Sequence, residues 1–456
     1  MRMGIFRRIF VATFLIVALG AAPAMAAEML TLPKAIEMAL EKNRNLVATQ
    51  LDADAAKWSQ YQSVSGYLPK VYFNTSVTRI DQDTLDQLEE YDEVQRQFAE
   101  IQGRDPDDID ETAIEDTYSS SIRVVQPIFN GGKEIVAIKA ATHEKRRQQL
   151  AYEDTLASTK NTVSQAFYEA QKAASLEQTA KEALALSKET LRTTNARFEV
   201  GQLSRAEVMR WESQVANAEG NLIEATNALR LARLNLNAVI GAELPTEWEF
   251  PEVTDTIADE VLDNGEKAAD GPMPDPATVT DHPAVMQVGE TVNLAKSEEW
   301  NAATNVLPSA NFVFNYAWEN NDTLDLDGDE NWTATISVEI PLFQSLGGIF
   351  GITSAHKSLL SAELQEDEFR RGFLQRLQNA RLNLKAAAQR VKASRKEVAF
   401  AEENFEIVKT RESIGAATNL ELLDAQFSYI QAKGRLATAI ADLQIAGAEW
   451  EYVNAN

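Results

Sequence analysis

The sequence predicts a mixed α and β fold, in which four membrane-barrel strands and several very long helices are arranged as a duplicated half. Three observations predict it. Motifs recur at matching positions in two parts of the chain, short segments alternate apolar and polar residues, and two long segments are almost free of proline and glycine. The predicted repeats span 27–242 and 281–456, and residues 243–280 form the predicted linker.

The N-terminus has the pattern of a secretory signal peptide over residues 1–26. Arg2, Arg7 and Arg8 supply positive charge, an apolar run follows, and a small-x-small cleavage site ends at Ala26. The apolar run is shorter than the roughly 20 residues that a membrane-spanning helix needs. No later segment of the sequence is apolar for long enough either. We therefore expect an exported chain that can enter a membrane only as strands.

Composition argues against several functional classes. The net charge of −26 makes the chain a poor partner for nucleic acid. The absence of cysteine excludes disulfides and thiolate metal sites. The three histidines, His143, His282 and His356, lie far apart and outside any nucleophile or zinc motif. The sequence therefore predicts no catalytic residues, no metal site and no cofactor.

The internal repeat is carried by two pairs of matching motifs. PIFNGG at 127–132 matches PLF at 341–343, and RFEVGQLSRAEVM at 197–209 matches RESIGAATNLELL at 411–423 without a net gap. Two such long repeats indicate a duplicated domain rather than a solenoid.

The spacing of earlier matches requires an insertion in the first half. Leu68-Pro69 matches Leu307-Pro308, but at a different distance from the later motifs. The acidic stretch 81–116 is the obvious place for the extra residues. Its composition fits an extended loop or short helix, and it fits a disordered, solubilising loop equally well.

Each half is predicted to run helix, strand, strand, long helix, turn and helix. The first helix of each half covers about 33–66 and about 283–306, and a proline follows each. The long helices cover about 133–196 and about 353–413, where good helix-forming residues dominate. Their apolar residues have mixed spacings and no strict heptad, so each helix needs neighbours on more than one side.

The predicted strands alternate apolar and polar side chains. Val71 and Phe73 alternate with Tyr72 and Asn74, and the second half has aromatic and aliphatic residues on alternate positions of two strands. Asp327-Gly328 predicts the turn of that second hairpin. The pattern is typical of strands in a membrane barrel, although a surface hairpin packed on its own protein is the alternative.

Four strands cannot close a membrane barrel, because such barrels begin at about eight strands. Open strand edges in lipid would leave backbone groups without hydrogen-bond partners, so the chain is predicted to oligomerise. Two chains would supply eight strands with a filled interior, whereas three would supply twelve and leave room for a lumen. The sequence thus favours a homotrimer.

Two matching helix turns contain residues suited to capping. Gly201 and Gly415 are placed as C-caps, and Ser204 and Thr418 as N-caps of the returning helices. The third residue after each N-cap is acidic. Those acids, Glu207 and Glu421, suit either a capping box or an acidic ring around a lumen, and the sequence leaves both open. Asp424 lies one turn further along and has no capping role.

These strand-ending motifs and helix turns resemble those of the TolC-like outer membrane efflux proteins, over nearly all of the mature sequence. The resemblance implies a trimeric, 12-stranded outer-membrane β-barrel continued by a long periplasmic α-helical coiled-coil barrel. It also implies a passive export conduit of a tripartite efflux or type I secretion system. Its expected partners are outer membrane lipid, a periplasmic adaptor (membrane fusion) protein and an inner-membrane pump.

The resemblance assigns roles to the residues of the two turns. The turns correspond to the family's periplasmic tips, which meet the adaptor. The expected adaptor-contacting residues are Val200, Gly201, Leu203, Ser204, Ile414, Gly415 and Thr418. The expected pore constriction consists of Glu207, Glu421 and Asp424.

The chain departs from the family at its gate. An aromatic residue and an arginine are common near the second tip, but Glu412 and Ala417 occupy the matching positions here. The resting-state lock, which is the contact that holds the tube closed at its tips, is therefore expected to be weaker, or to use Arg411 or Arg205 instead. A different class of function, a trimeric coiled-coil surface or structural protein, would require strict heptads and no amphipathic strands.

Overall fold

The computed structural model describes residues 28–109, 111–243, 246–252, 255–270, 281–321, 323–324, 326, 328–343 and 346–454. The predicted signal peptide at 1–26 and Asp327 of the predicted hairpin turn lie outside these residues. Within the described part of the chain, no helix is both long and apolar enough to cross a membrane.

Helices make up most of the described residues. In chain order they are α1 (Leu32–Lys42), α2 (Arg44–Val64), α3 (Gln82–Ile101), α4 (Lys133–Glu199), α5 (Arg205–Ile240), α6 (Asp255–Asp270), α7 (Pro283–Thr304), α8 (Gly347–Ser413) and α9 (Asn419–Asn454). The two longest, α4 and α8, have 67 residues each and begin shortly after the matching strand-ending motifs.

The strands form two sheets. The short strands β1 (Glu28–Met29) and β4 (Trp248–Glu249) pair in parallel. The longer strands are β2 (Lys70–Arg79), β3 (Asp116–Asn130), β5 (Ser309–Asn320) and β6 (Asp329–Glu339). They form one antiparallel sheet in the order β2-β3-β5-β6, so each half of the chain contributes one adjacent pair.

The first predicted helix is divided in two. Asn43 interrupts it, and its side-chain oxygen accepts hydrogen bonds from the backbone amides of Asn45 at 2.9 Å and Leu46 at 3.3 Å. Asparagine is a strong N-cap, so it begins α2 rather than continuing α1. The predicted single helix over 33–66 is wrong in this detail.

The acidic stretch 81–116 contains a folded helix, α3, which agrees with the short-helix alternative. Asp81 caps it by accepting the backbone amide of Thr84 at 3.0 Å. The buried carboxylate of Asp92 accepts the backbone amides of Thr112 at 2.8 Å and Ala113 at 2.9 Å. The helix is therefore tied to the segment that returns to β3.

The described chain divides into two compact units. One contains the described residues up to Lys42, Thr162–Leu262 and Arg390–Ile445, and it includes both predicted tips. Its core packs α1 against α4 and α5 around Phe167, Leu236 and Ile240. Trp248 closes this core, because its indole N–H donates to the side-chain oxygen of Asn237 at 2.6 Å.

The other unit contains Asn43–Asn161, Asp263–Gln389 and the described residues from Ala446 onward. It holds the four-stranded sheet. It also holds a buried histidine, His282, which caps α7 and contacts the carbonyl oxygen of Tyr452 through Nε2 at 3.0 Å. The hydroxyl of Tyr452 in turn donates to Asp154 at 2.9 Å, so three distant parts of the sequence meet there.

The register of the large sheet gives it one apolar face. Phe73 lies opposite Ile122, Ile122 opposite Tyr316, and Tyr316 opposite Trp332, so the four side chains form one row across all four strands. The neighbouring row on the other face is polar and consists of Tyr72, Arg123, Asn315 and Thr333. The alternation predicted for β2, β5 and β6 therefore holds in these two rows.

Candidate functional site

The candidate site consists of two helix turns in the first unit. The first tip, Val200–Ser204, joins α4 to α5, and the second tip, Ile414–Thr418, joins α8 to α9. The structure brings both of them into the same unit, although more than 200 residues separate them in the sequence.

Both tips end their first helix in the same way. Gly201 donates its amide to the carbonyl of Phe198 at 2.9 Å, and Gln202 donates to the carbonyl of Arg197 at 2.9 Å. The second tip repeats this pattern from Gly415 to Glu412 and from Ala416 to Arg411. This pair of bonds defines the Schellman motif.

Glycine at the two C-caps is required by backbone conformation. Gly201 has φ 76° and Gly415 has φ 75°, in the left-handed region that residues with a Cβ rarely adopt. A Cβ built at either position would meet no atom within 4 Å. The surface over both glycines is thus open in a single chain.

The returning helices begin with the predicted capping residues. The backbone amide of Ser204 donates to Glu207 Oε2 at 2.7 Å, and the amide of Thr418 donates to Glu421 Oε2 at 2.7 Å. Glu421 completes the reciprocal bond, because its own amide donates to the Thr418 hydroxyl at 3.2 Å. Both acids therefore have a structural role in their helices.

Capping changes the electrostatics of the two acids. The backbone hydrogen bond from Ser204 lowers the pKa of Glu207, and that from Thr418 lowers the pKa of Glu421. Hydrogen bonds to a carboxylate favour its charged form. Both side chains consequently stay negative at neutral pH, and capping fixes their charge in place.

Asp424 differs from the two capping acids. It lies in the second turn of α9, is exposed, and has no part in the capping of that helix. It follows Glu421 by three residues, so the two side chains share one side of the helix. Asp424 thus follows the second tip closely in the sequence, and its side chain is exposed to solvent.

An ion pair joins the two helical hairpins, α4–α5 and α8–α9, a few residues before their tips. Arg197 Nη1 donates to Glu412 Oε1 at 2.6 Å, and Arg197 Nη2 donates to the carbonyl of Ser413 at 3.3 Å. Glu412 was predicted only as a departure from the family, and its partner was not predicted. Matching positions in the two repeats hold Arg197 and Arg411, so the repeat alone did not show which arginine forms the link.

The two arginines proposed for a lock contact their own hairpins in a single chain. Arg411 Nη2 donates to the carbonyl of Ala416 at 2.9 Å, within the second tip. Arg205 pairs with Glu212 of its own helix at 3.4 Å. Within the described chain, neither arginine contacts the other hairpin, and the ion pair between the hairpins is made by Arg197. The use of Arg411 or Arg205 in a lock stays a prediction.

A small core supports the tips. Trp211, Phe405 and Leu422 are buried together, and Tyr429 stacks on Phe405 with ring centroids 5.6 Å apart. The tips themselves expose apolar side chains, with 70% of Val200 and 76% of Ile414 accessible. Leu203 is half-buried. The two turns thus rest on a buried core and expose apolar side chains to solvent.

The site offers exposed surface and charge. In the described part of the chain, no group of three or more His, Cys, Asp or Glu side chains is placed to hold a metal ion. The notable features are two exposed turns, three acidic residues and one ion pair between hairpins. Such a site can bind a partner and shape an electrostatic field.

A family model described as outer membrane efflux protein matches residues 35–242 and 282–449. No curated protein sequence matches the chain at a significant level.

Several solved structures share the fold. The CmeC outer membrane channel of Campylobacter jejuni has a TM-score of 0.78 at 15% identity, covering 98% of this chain and 93% of that one. CusC, which forms a transmembrane channel, has a TM-score of 0.77 at 13% identity, covering 94% of this chain and 92% of that one. The outer membrane protein VceC of Vibrio cholerae has a TM-score of 0.75 at 16% identity, covering 92% and 95%.

Proposed function

We propose that this chain, which belongs to the outer membrane efflux protein family, is the outer-membrane channel component of a tripartite efflux or type I secretion system. In this role three copies form a passive export conduit. The conduit extends from the outer membrane into the periplasm and contacts a periplasmic adaptor protein and an inner-membrane pump. The pump supplies the energy, so the chain itself needs neither catalysis nor a cofactor.

The observation that carries this proposal is the open four-stranded sheet. Among the described strands, β2 and β6 each pair on one side only, and one face of the sheet is apolar. Unpaired edges cost several kcal/mol per backbone group in lipid. Because β2 and β6 run in opposite directions, β6 of one copy can continue the antiparallel pattern with β2 of the next. Three copies then close a 12-stranded barrel that is apolar outside and polar inside.

The tips support the periplasmic part of the proposal. Val200 and Ile414 expose apolar surface, and the space over Gly201 and Gly415 is open, so an adaptor can approach the backbone closely. We place the adaptor contact on these residues together with Leu203, Ser204 and Thr418. We place the constriction at Glu207, Glu421 and Asp424, where three copies would gather negative charge.

The alternative of a trimeric coiled-coil surface or structural protein has less support. A coiled-coil protein of that kind does not require a four-stranded sheet with one apolar face, which this chain has. The long helices also lack the strict heptad that a simple coiled coil needs. The efflux channel accounts for the sheet and the helices together.

Membrane fractionation, native mass spectrometry and bilayer recording test the proposal. The chain is expected in the outer membrane fraction, as a complex of three copies that conducts ions in a planar lipid bilayer. Cross-linking to an adaptor should depend on the tips, and replacing Val200 with Asp should weaken it. A soluble periplasmic monomer would refute the channel, and an adaptor contact unaffected at either tip would refute the assigned docking residues.

A further inference from the structure

The two halves of the chain make one helix contact in the same way. In the first half the side-chain amide of Gln60, in α2, donates to the hydroxyl of Thr142, in α4, at 2.9 Å. The sequence repeat matches these positions with Glu299 in α7 and His356 in α8, whose side chains meet at 2.8 Å. Helix α7 therefore packs on α8 as α2 packs on α4.

A second helix contact joins the two halves and has no counterpart within the chain. His143 Nδ1, in α4, lies 2.7 Å from Glu290 Oε2, in α7. The repeat matches His143 with Lys357 of α8, and Glu290 with Leu51 of α2. Among the described residues, no hydrogen bond or ion pair joins α2 to α8. The chain thus has the residues for this contact twice and makes it once.

The face of α4 that makes this contact is covered, whereas the matching face of α8 is bare. Val136 and Leu150 lie seven residues before and after His143, so they share its side of α4, and they are 2% and 1% exposed. Their counterparts Phe350 and Leu364 are 64% and 71% exposed. The name α8 face is used below for Phe350, Lys357 and Leu364.

Helices α7 and α2 differ in the same way. Ser297 lies seven residues after Glu290 on the same side of α7 and is buried. The matching residues of α2, Trp58 and Leu51, are 69% and 62% exposed. Leu51 is two and a half turns from Gln60, so it points away from α4. The name α2 face is used below for Leu51 and Trp58.

The two bare faces lie at opposite ends of one row of helices. The contacts above give the helix order α2-α4-α7-α8, which parallels the strand order β2-β3-β5-β6. Helix α2 leads into edge strand β2, and α8 follows edge strand β6. Two helices separate the chain's own α2 from its α8. A second copy that pairs its β2 with β6 therefore also brings its α2 beside α8.

We propose that the α2 face of one copy packs on the α8 face of the adjacent copy, with Leu51 beside Lys357, as α7 packs on α4 inside each copy. This helical seam rests on the proposed trimeric channel. It extends the contact between copies from the sheet edges into the helices, and it buries the apolar side chains of both faces.

Charge is compatible with the seam. Helix α2 carries two basic and two acidic residues, so it presents no excess charge of either sign to the neighbouring copy. Lys357 can lay its aliphatic stem against Leu51 and keep its ammonium group in water.

Cysteine cross-linking tests the seam, because the native chain contains no cysteine. The full chain with both Leu51→Cys and Lys357→Cys is assembled in the membrane and oxidised. Covalent dimers and trimers that disappear on reduction are expected in a denaturing gel. A disulfide requires Cβ atoms within about 4.5 Å, so the product reports direct contact.

Two matched variants serve as controls. His143→Cys with Glu290→Cys joins the equivalent pair inside one chain, and it should give an internal disulfide without covalent oligomers. Thr49→Cys with Lys357→Cys moves the first cysteine to the side of α2 that carries Gln60, three turns away, and it should give little cross-linked product.

The outcomes separate the seam from the channel. If native mass spectrometry shows three copies but the Leu51 pair cross-links no better than the Thr49 pair, the seam is wrong and the channel stands. An internal disulfide in the Leu51 pair would place the chain's own α2 on its α8 and would also overturn the seam. If no oligomer forms, both proposals fail.

Discussion

Capping and pore charge are compatible at Glu207 and Glu421. The capping bonds of both carboxylates use Oε2. The negative charge remains, and its lowered pKa keeps it present at neutral pH. The sequence alone offered capping and an acidic ring as alternatives. The geometry shows that one carboxylate can cap the helix and still carry a negative charge.

Asp424 separates the two roles, because it carries charge without capping. We expect Asp424→Asn to lower the cation selectivity of the purified channel and to leave its thermal stability unchanged. Glu421→Gln keeps an acceptor for the Thr418 amide and removes only the charge. If Glu421 lines the constriction, this variant also lowers selectivity; if it only caps, selectivity is retained. Reversal potentials in a salt gradient distinguish these results, and unchanged selectivity in Asp424→Asn with Glu421→Gln would refute the acidic constriction.

His282 should make stability depend on pH. The backbone amide of Ala284 donates to Nδ1 at 3.2 Å, so the neutral ring carries its hydrogen on Nε2, facing the Tyr452 carbonyl. Burial lowers the pKa of His282. For a base with a lowered folded pKa, the unfolded chain binds the proton more readily. Stability is therefore fully present above about pH 6.5 and falls as the pH decreases towards the folded pKa.

Thermal unfolding at several pH values tests this residue. The native protein is expected to lose stability as the pH falls below about 6.5, the ordinary pKa of histidine. His282→Asn keeps a capping acceptor but does not titrate in this range, so its loss over the same interval should be smaller. Equal pH dependence in the two proteins would contradict the assignment to His282.

At the scale of elements, the sequence predicted the helices and strands well where local signals were strong. The predicted long helices over about 133–196 and about 353–413 correspond to α4 and α8, because the long stretches of helix-forming residues have few interruptions. Gly201 and Gly415 marked the ends of these helices correctly. The repeat boundaries at 27–242 and 281–456 stay predictions.

Other elements depend on contacts that the sequence does not reveal. Helix α3 was ambiguous because its composition suits disorder as well as a helix. Its order depends on the Asp92 hydrogen bonds to Thr112 and Ala113, which join residues about twenty positions apart. The link between Arg197 and Glu412 depends on the packing of two hairpins from different repeats. Pairing over such distances has no local sequence signal.

The ion pair between the hairpins should couple their stability. The side chains of Arg197 and Glu412 are both partly buried, so water does not fully replace either one as a hydrogen-bond partner when it is removed. We expect Arg197→Glu and Glu412→Arg each to destabilise the trimer. The double variant should recover part of the loss, with a coupling energy of about 1–2 kcal/mol. Recovery is incomplete because the Ser413 carbonyl loses its donor. Denaturation of all four proteins measures the coupling, and additive losses would show that the pair contributes nothing.

At the scale of the whole molecule, strand alternation predicted the faces but not the arrangement of the sheet. Strands β2, β5 and β6 each show a period of two in the sequence, whereas β3 does not. Only the register shows that the apolar positions of all four strands line up, as in the row Phe73, Ile122, Tyr316 and Trp332. The pairing of β3 with β5 joins the two repeats, and no turn between these strands could have indicated it.

Adjacent residues of edge strand β6 provide a direct test of the proposed barrel. Ile336 lies opposite Phe312 on the apolar face, and 68% of it is exposed in a single chain. Thr335 is the preceding residue, is also exposed, and lies on the polar face. A soluble sheet packed in water would tolerate lysine at either exposed position to a similar degree. A membrane barrel would distinguish them, because one face contacts lipid and the other contacts water.

We expect Ile336→Lys to prevent or weaken assembly in the outer membrane and Thr335→Lys to be tolerated. A lysine on the lipid-facing side costs about 2–4 kcal/mol at the middle of the bilayer, and each of three copies would carry it. The lysine at position 335 would instead add positive charge to the lumen, which should lower cation conductance without loss of the trimer. Outer-membrane yield and native mass spectrometry measure assembly, and bilayer recording measures conductance. Equal assembly of the two variants would show that the apolar face does not contact lipid, and the barrel would then be wrong.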